Sequence, residues 1–326
     1  MKRRDFFKTA GAVALPVISA GQLSSCNSSG SENKPETKNL SKVFMTKDIS
    51  GKGLMALYKA LGKPVSGKVA LKLHMGEPGN VNYLRPEIVR DLCMAVNGSF
   101  VDCNVYYESP RATSAGNKQA ALDHGYTFAP VDILDSEGEV RFPIKGGLRL
   151  KEAIFGSHIV NYDWIISIAN FKGHSLSGFG GTFKNLAVGI ATPAGKRALH
   201  TNPGGALWSR RGNSFLEMIV EYNVALLDAK PGRFVHINVL SNLSLDCDCI
   251  AGAGPPVMPD IGVLASLDPV ALEKASLDLI YARPAEERRH LVERIESRNG
   301  IHKLIFAERA GLGSQTYELI RLNPVP

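Results

Sequence analysis

The stretch Trp164-Ile165-Ile166-Ser167-Ile168-Ala169 runs straight into Asn170-Phe171-Lys172-Gly173-His174-Ser175-Leu176-Ser177-Gly178-Phe179-Gly180-Gly181-Thr182-Phe183-Lys184-Asn185. The first six residues are short, uncharged and rich in isoleucine, the mark of a buried strand. The glycine-rich segment that follows opens a helical pattern over Phe183–Ile190. Strand, glycine loop and helix in succession are the repeating unit of α/β proteins, in which ligands bind at the carboxyl edge of the sheet.

Working outward, short apolar runs alternate with helical patterns along the chain. Strands are expected near Lys42–Thr46, Lys68–His74, Phe100–Tyr107, Asp132–Leu134, Phe234–Leu240, Ile261–Ala265 and Tyr317–Leu322. Helices are expected near Gly53–Leu61, Pro86–Val96, Gly116–His124, Leu150–Phe155, Ser214–Leu227, Pro269–Tyr281, Ala285–Ser297 and His302–Ala310. Asp268-Pro269 puts a capping acceptor before a proline at the first helical position. The fold class is therefore α/β, a mostly parallel sheet covered by helices, in a single large domain over residues 41–326. No interior linker or fixed-period repeat interrupts it. A hydrophobic share of 44% and a charged share of 21% over 326 residues exclude a collagen, a coiled coil and a disordered chain.

The beginning of the chain reads as an address. Residues 1–25 combine a basic start with an apolar run, Thr9–Ala20, that is shorter than a membrane span and is interrupted by Gly11 and Pro16. Lys2-Arg3-Arg4-Asp5-Phe6-Phe7-Lys8 resembles the twin-arginine export motif, and Leu23-Ser24-Ser25-Cys26 resembles a lipoprotein lipobox. The resemblance implies export of a folded protein, lipidation at Cys26 and attachment to a lipid bilayer, in the periplasm or on the membrane. Residues 26–40 are then a polar tether. Lys2, Arg3, Arg4, Lys8 and Asp5 carry three of the seven net positive charges. The remaining domain is only mildly basic, so no nucleic-acid partner is expected.

Within the domain, Gly178, Gly180 and Gly181 let backbone N–H groups approach an anion, and Lys172, Lys184 and Asn185 add polar contacts ahead of a helix start. That combination points to a phosphate, nucleotide or carboxylate, although the spacing is neither a Walker A loop nor a dinucleotide fingerprint. His74 ends one expected strand, His174 follows another, and Cys247-Asp248-Cys249 follows a third. His200 opens a further glycine turn. Together these are candidate ligands for nickel, iron or zinc. A bridge between Cys247 and Cys249 would close a strained ring, so pairing with Cys93 or Cys103, or free thiols, is the expectation. Arg85 and Arg111 are candidate clamps for a carboxylate or phosphate.

These motifs are joined by a wider likeness. Lys72–Glu77, Tyr83–Glu87, Asp102-Cys103-Asn104 with Arg111, His124-Gly125-Tyr126, Asn170–Gly189, Pro259–Gly262 and Ser266–Ala271 together resemble the domain of unknown function 362 family, described as iron–sulfur centre proteins. Many members carry a ferredoxin-like cysteine run after the counterpart of His200. Here that place reads Thr201-Asn202-Pro203-Gly204-Gly205-Ala206-Leu207-Trp208, so a four-cysteine iron–sulfur cluster is not expected.

The spacing of His174, Lys184 and His200 is also similar to that of nickel-pincer lactate racemases. That likeness implies a nucleotide-type cofactor held covalently by Lys184, nickel on His200, and acid–base work by His174, with His74 as an opposing base. The racemases' Asp-x-Thr-Arg-Pro signature is missing, and Leu84-Arg85-Pro86 is only a partial echo, so a shared fold with different chemistry is preferred. The function expected is a redox or isomerase-type enzyme acting on a small anionic molecule. The alternative is a non-catalytic envelope lipoprotein that binds such a ligand.

Overall fold

A computed structural model describes residues 40–323. The export signal, Cys26 and the tether up to residue 39 lie outside them. The central sheet contains β1 (Ser41–Thr46), β2 (Val69–Lys72), β3 (Gly98–Asp102), β4 (Val131–Ile133), β7 (Trp164–Asn170), β10 (Phe234–Leu240), β11 (Gly262–Ser266) and β12 (Tyr317–Arg321). Their order across the sheet is β12-β1-β11-β10-β7-β2-β3-β4. Only β11 runs against the rest, pairing antiparallel with both β1 and β10. The reason lies in residues 241–261, which stay at the carboxyl edge of the sheet, so the next strand starts there and runs back.

Alternation along each strand separates two cores. Val69 and Leu71 of β2 and Ile166 and Ile168 of β7 point to one face, with Leu54, Leu57, Val89 and Leu92. These last four belong to α1 (Gly51–Ala60) and α2 (Pro86–Ala95), and α3 (Ser114–Asp123) joins them. Ala70 and Ile165 point to the other face. That face is covered by α4 (Thr182–Ala187), α5 (Pro193–His200), α6 (Gly212–Ala229), α7 (Pro269–Tyr281), α8 (Ala285–Ser297) and α9 (His302–Arg309). Burial on both faces explains why these strands read as continuous apolar runs. Asp268 caps α7, its carboxylate accepting from the N–H groups of Val270 at 2.8 Å and Ala271 at 2.9 Å, a contact worth about 1 kcal/mol. No described helix is long and apolar enough to cross a membrane.

Four expectations are corrected. Leu150–Phe155 is not helical: Glu152–Gly156 forms β6, paired antiparallel with β5 (Glu139–Pro143) outside the main sheet. The strand expected over Phe100–Tyr107 ends at Asp102, where the chain turns into the cavity described below. His200 ends the helix α5, capped by Thr192 with Pro193 in its first turn, and does not open a turn. The glycine loop folds back on itself as a hairpin of β8 (Lys172–His174) and β9 (Gly178–Gly180) before α4 begins.

Candidate functional site

The chain lays β2, β3 and β4 side by side in one direction and then places β7 and β10 on the other side of β2. The strand order therefore turns between β2 and β7, and at such a switch point the carboxyl ends of the strands splay into a crevice. A cavity of about 100 Å³ lies there. His74, His174, Gly180, Gly181, Lys184, Asn185, His200, Cys247 and Cys249, proposed from the sequence, all line it. So do Lys72, Asp102, Tyr106, Tyr107, Arg111, Lys196, Trp208 and Asp248.

One wall is a buried charge network. Arg111 donates from Nη2 to Asp102 at 2.8 Å, from Nη1 to Glu77 at 2.9 Å and from Nε to Asn117 at 2.9 Å. Lys72 donates to Asp102 at 3.1 Å and to the Leu73 carbonyl at 2.8 Å. Burial would raise the Asp102 carboxyl, but the cations of Lys72, Arg111 and Lys196 overcome it and hold the group below its ordinary range. Arg111 is thus saturated by the protein's own carboxylates and is not free to clamp a ligand.

Arg111 also decides the state of His74. Its Nη1 lies 2.9 Å from His74 Nε2, and because a guanidinium only donates, Nε2 must accept. The hydrogen then sits on Nδ1, which faces the N–H of Gly76 at 3.1 Å, so no neutral tautomer satisfies both neighbours. Burial, then the Arg111 charge, pushes the His74 pKa well below its usual value. The expectation of His74 as an opposing base is therefore corrected: it lines the cavity, but its lone pair is already engaged.

The other two histidines are set in opposite tautomers by backbone groups. His174 Nδ1 faces the backbone N–H groups of Ser177 at 3.0 Å and Leu176 at 3.2 Å, so it accepts and Nε2 carries the hydrogen. His200 Nδ1 lies 2.7 Å from the Lys196 carbonyl, to which it can only donate, so Nε2 keeps its lone pair. His174 is arranged as a hydrogen donor and His200 as a ligand or base. Burial lowers His200 to about 3 and His174 well below the ordinary range, so both rings are neutral.

Lys184 differs from the other inward-facing lysines. Lys72, Lys172, Lys196 and Lys303 are buried, and each donates to at least one oxygen. Among the described residues Lys184 donates to no oxygen, and its Nζ lies 3.7 Å from Cys247 Sγ. Protein encloses this side chain on every side except the cavity, through which it stays partly exposed. Burial, with the neighbouring Lys303 charge, lowers its pKa to about 8. Asp248, fully enclosed beside it, has its carboxyl raised by burial. The phenol oxygen of Tyr106 and the amide oxygen of Asn170 are buried without partners.

The cysteines depart from expectation. Cys247 and Cys249 are joined to each other as a disulfide with Cα atoms 5.4 Å apart, within the usual span, while Cys93 and Cys103 are free and buried. A ring nitrogen of His174 and the two sulfurs lie within 4.8 Å of one another. As a disulfide the pair offers no thiolate, and the tautomer of His174 keeps a hydrogen on Nε2, so this trio is not a metal centre in its oxidised form.

Three proposed residues lie away from the cavity. Lys172 turns inward to the carbonyls of Ser241 and Asn242. Gly178 packs its positive-φ backbone against Ile295 and Gly300. Arg85 is exposed, stacks over Tyr83 and donates to the Val81 carbonyl. The anion cradle expected at the start of α4 is filled by the protein itself: Glu273 accepts the Phe183 N–H at 2.9 Å, where a ligand's oxygen would sit.

Fold and site together define an α/β protein with a cation-rich cavity at the switch point of its sheet. The chain belongs to the family Domain of unknown function (DUF362), whose model matches residues 69–278. No curated protein matches it significantly. Among solved structures, it is similar to the lactate racemase apoprotein from Thermoanaerobacterium thermosaccharolyticum, with 14% identity and a TM-score of 0.42 over 75% of this chain and 57% of that one. It is also similar to a protein from Thermotoga maritima, with 13% identity and a TM-score of 0.37 over 58% of this chain and 49% of that one. The chain thus spans about half the length of these two structures, and likenesses this distant say nothing of activity.

Proposed function

We propose that the chain is an enzyme of isomerase or redox type that acts on a small anionic substrate, with a cofactor held covalently on Lys184 and a metal ion on His200. One observation carries the reading: among the described residues, Lys184 alone of the inward-facing lysines is left without an oxygen partner, in a cavity whose other lining cations are each satisfied. An amine with a pKa near 8 is substantially unprotonated in mildly alkaline solution and can attack an electrophilic carbon.

The residues present fit such a group. His200 Nε2 offers a lone pair for a metal, and the buried oxygens of Tyr106 and Asn170 await partners. When bound, the group would supply an electrophilic centre next to the substrate. The chain's own residues do the rest: Lys72, Arg111, Lys184 and Lys196 make the cavity favourable for an anion. His174, whose lone pair is engaged by the Leu176 and Ser177 N–H groups, orients the substrate by a hydrogen bond from Nε2 in place of the acid–base work expected of it, and the Asp248 carboxyl, its pKa raised, exchanges a proton beside it. Export and attachment through Cys26 belong to the same proposal, and a lipid mass on that residue tests them.

Competitive acylation from pH 6 to 10, read by peptide mass, tests Lys184 directly. The expected midpoint is near 8, against about 10.4 for ordinary lysines. Protein taken from its native envelope is expected to carry an adduct that Lys184→Ala removes and a metal that His200→Ala removes. A Lys184 that titrates with the surface lysines, in protein bearing neither adduct nor metal, defeats the proposal.

A further inference from the structure

The Cys247–Cys249 bridge takes no part in the reading above, yet it forms part of the cavity wall. Cys247 is buried and Cys249 is partly exposed. Lys184 Nζ stands 3.7 Å from Cys247 Sγ, and His174 approaches both sulfurs. The two sulfurs therefore differ: one faces an approaching molecule, and the other rests against groups that stabilise negative charge. Such asymmetry defines the direction of thiol–disulfide exchange, because the sulfur that leaves as the better-stabilised thiolate leaves faster.

We propose that Cys247–Cys249 is a redox-active disulfide that oxidises small anionic thiols. A substrate thiolate attacks Cys249 Sγ. The bond between Cys249 and Cys247 breaks, a bond forms between the substrate sulfur and Cys249, and the electron pair departs on Cys247 as a thiolate beside the Lys184 ammonium. A second thiolate then attacks the substrate sulfur of this mixed disulfide, releasing the substrate as its disulfide and Cys249 as a thiolate. Two thiols have lost two electrons and the protein pair has gained them. Each cysteine thiolate takes one proton from solvent, and a low-molecular-weight disulfide restores the bridge by the reverse exchange.

The cations that line the cavity select a negatively charged thiol over a positive one. Cys93 and Cys103 do not compete: burial pushes the Cys93 thiol up to about 11 and Cys103 well above its ordinary value. This activity belongs to the chain with Lys184 unmodified, so it does not depend on the covalent cofactor proposed above.

The test uses oxidised mature protein whose Lys184 carries no adduct by peptide mass, without oxygen, with 3-mercaptopropionate and cysteamine as the anionic and cationic thiols. Each rate is normalised to that thiol's rate with an uncharged model disulfide. The expected result is at least a tenfold preference for 3-mercaptopropionate, shrinking as salt is added and lost in Lys184→Gln. In Cys247→Ser, the disulfide of 3-mercaptopropionate is expected to leave a stable adduct on Cys249 and none elsewhere. Equal normalised rates, a preference that survives Lys184→Gln, or a pair that stays as two free thiols in excess oxidised thiol each overturn the proposal.

Discussion

Replacing Arg111 with methionine removes the group on which one wall of the cavity is built. The substitution keeps much of the volume and deletes four contacts: those to Asp102, Glu77, Asn117 and His74. Truncating one partner of a buried ion pair costs about 3–5 kcal/mol, because the other charge is left enclosed and unpaired. Two carboxylates are affected here, but neither is wholly abandoned. Asp102 keeps Lys72 at 3.1 Å, and Glu77 keeps the Tyr107 hydroxyl at 3.1 Å and the Ser109 hydroxyl. The expected loss is therefore about 3–5 kcal/mol in all and not twice that, a fall in Tm of roughly 10 °C for a chain of this size. Arg111→Lys retains the charge but not the forked geometry and should lose about half as much.

The acid limb should move as well. Asp102 sits below its ordinary range, so its contribution is present above the unfolded value of about 3.9 and is lost as pH falls through the lower folded value. Without Arg111 the folded value rises toward the unfolded one, so the variant should lose less stability than wild type as pH falls below about 3.9, and the gap between the two proteins should narrow there. Thermal and urea unfolding from pH 3 to 7 measure both effects. A loss below about 1 kcal/mol, the range of an exposed ion pair, would refute the account of this wall as a network held by burial.

Two more predictions concern the interior. Burial holds His236 to about 3, so it is neutral when folded and binds a proton when unfolded below about 6.5. Stability should therefore fall as pH drops from about 6.5 toward 3, with His236 contributing about 1.4 kcal/mol per pH unit. His236→Gln should flatten the measured slope by that amount, and an unchanged slope contradicts the assignment. A Cβ at Gly189 would strike the Asn185 carbonyl and approach Lys72 Nζ to 2.7 Å, so Gly189→Ala should cost about 1–3 kcal/mol in urea unfolding. Gly252→Ala, which has open space around it, should be neutral by the same measurement.

The strands of this fold announce themselves because both faces of the sheet are covered. Trp164–Ala169 and Phe234–Leu240 are apolar or neutral throughout, and Asp268-Pro269 marks the start of α7 through chemistry that the cap then uses. Thr192-Pro193 carries the same signal at α5 and goes unread, since the glycines on either side suggest a turn. Leu150–Phe155 misleads for a different reason: six residues are too few for a helical period to be told from an edge hairpin that has one exposed face.

The site is legible only where its residues lie close to strand ends. His174, Lys184, His200 and the cysteine pair are found that way. Arg111, Asp102 and Glu77 come together from three separate segments, one of them the end of β3, and their charges look like ordinary surface charges until the fold joins them. Lys72 offers a cue, for a lysine inside Val69-Ala70-Leu71-Lys72-Leu73 has nowhere to go but the interior, where it is fully buried. The cradle of glycines before α4 is persuasive in sequence because nothing nearby reveals Glu273, 90 residues away, as the carboxylate that fills it.

The direction of β1 has a consequence for how the molecule stands in its surroundings. β1 pairs antiparallel with β11, which is itself antiparallel to β10, so β1 runs the same way as β7 and β2. Ser41 therefore enters the sheet at the edge opposite the one that bears the cavity. About 20 Å of sheet, the length of six strand residues, separates the two. If the attachment proposed at Cys26 holds, it joins the domain at the edge opposite the cavity mouth, so that a diffusing anion could reach the mouth without first passing between the protein and the surface.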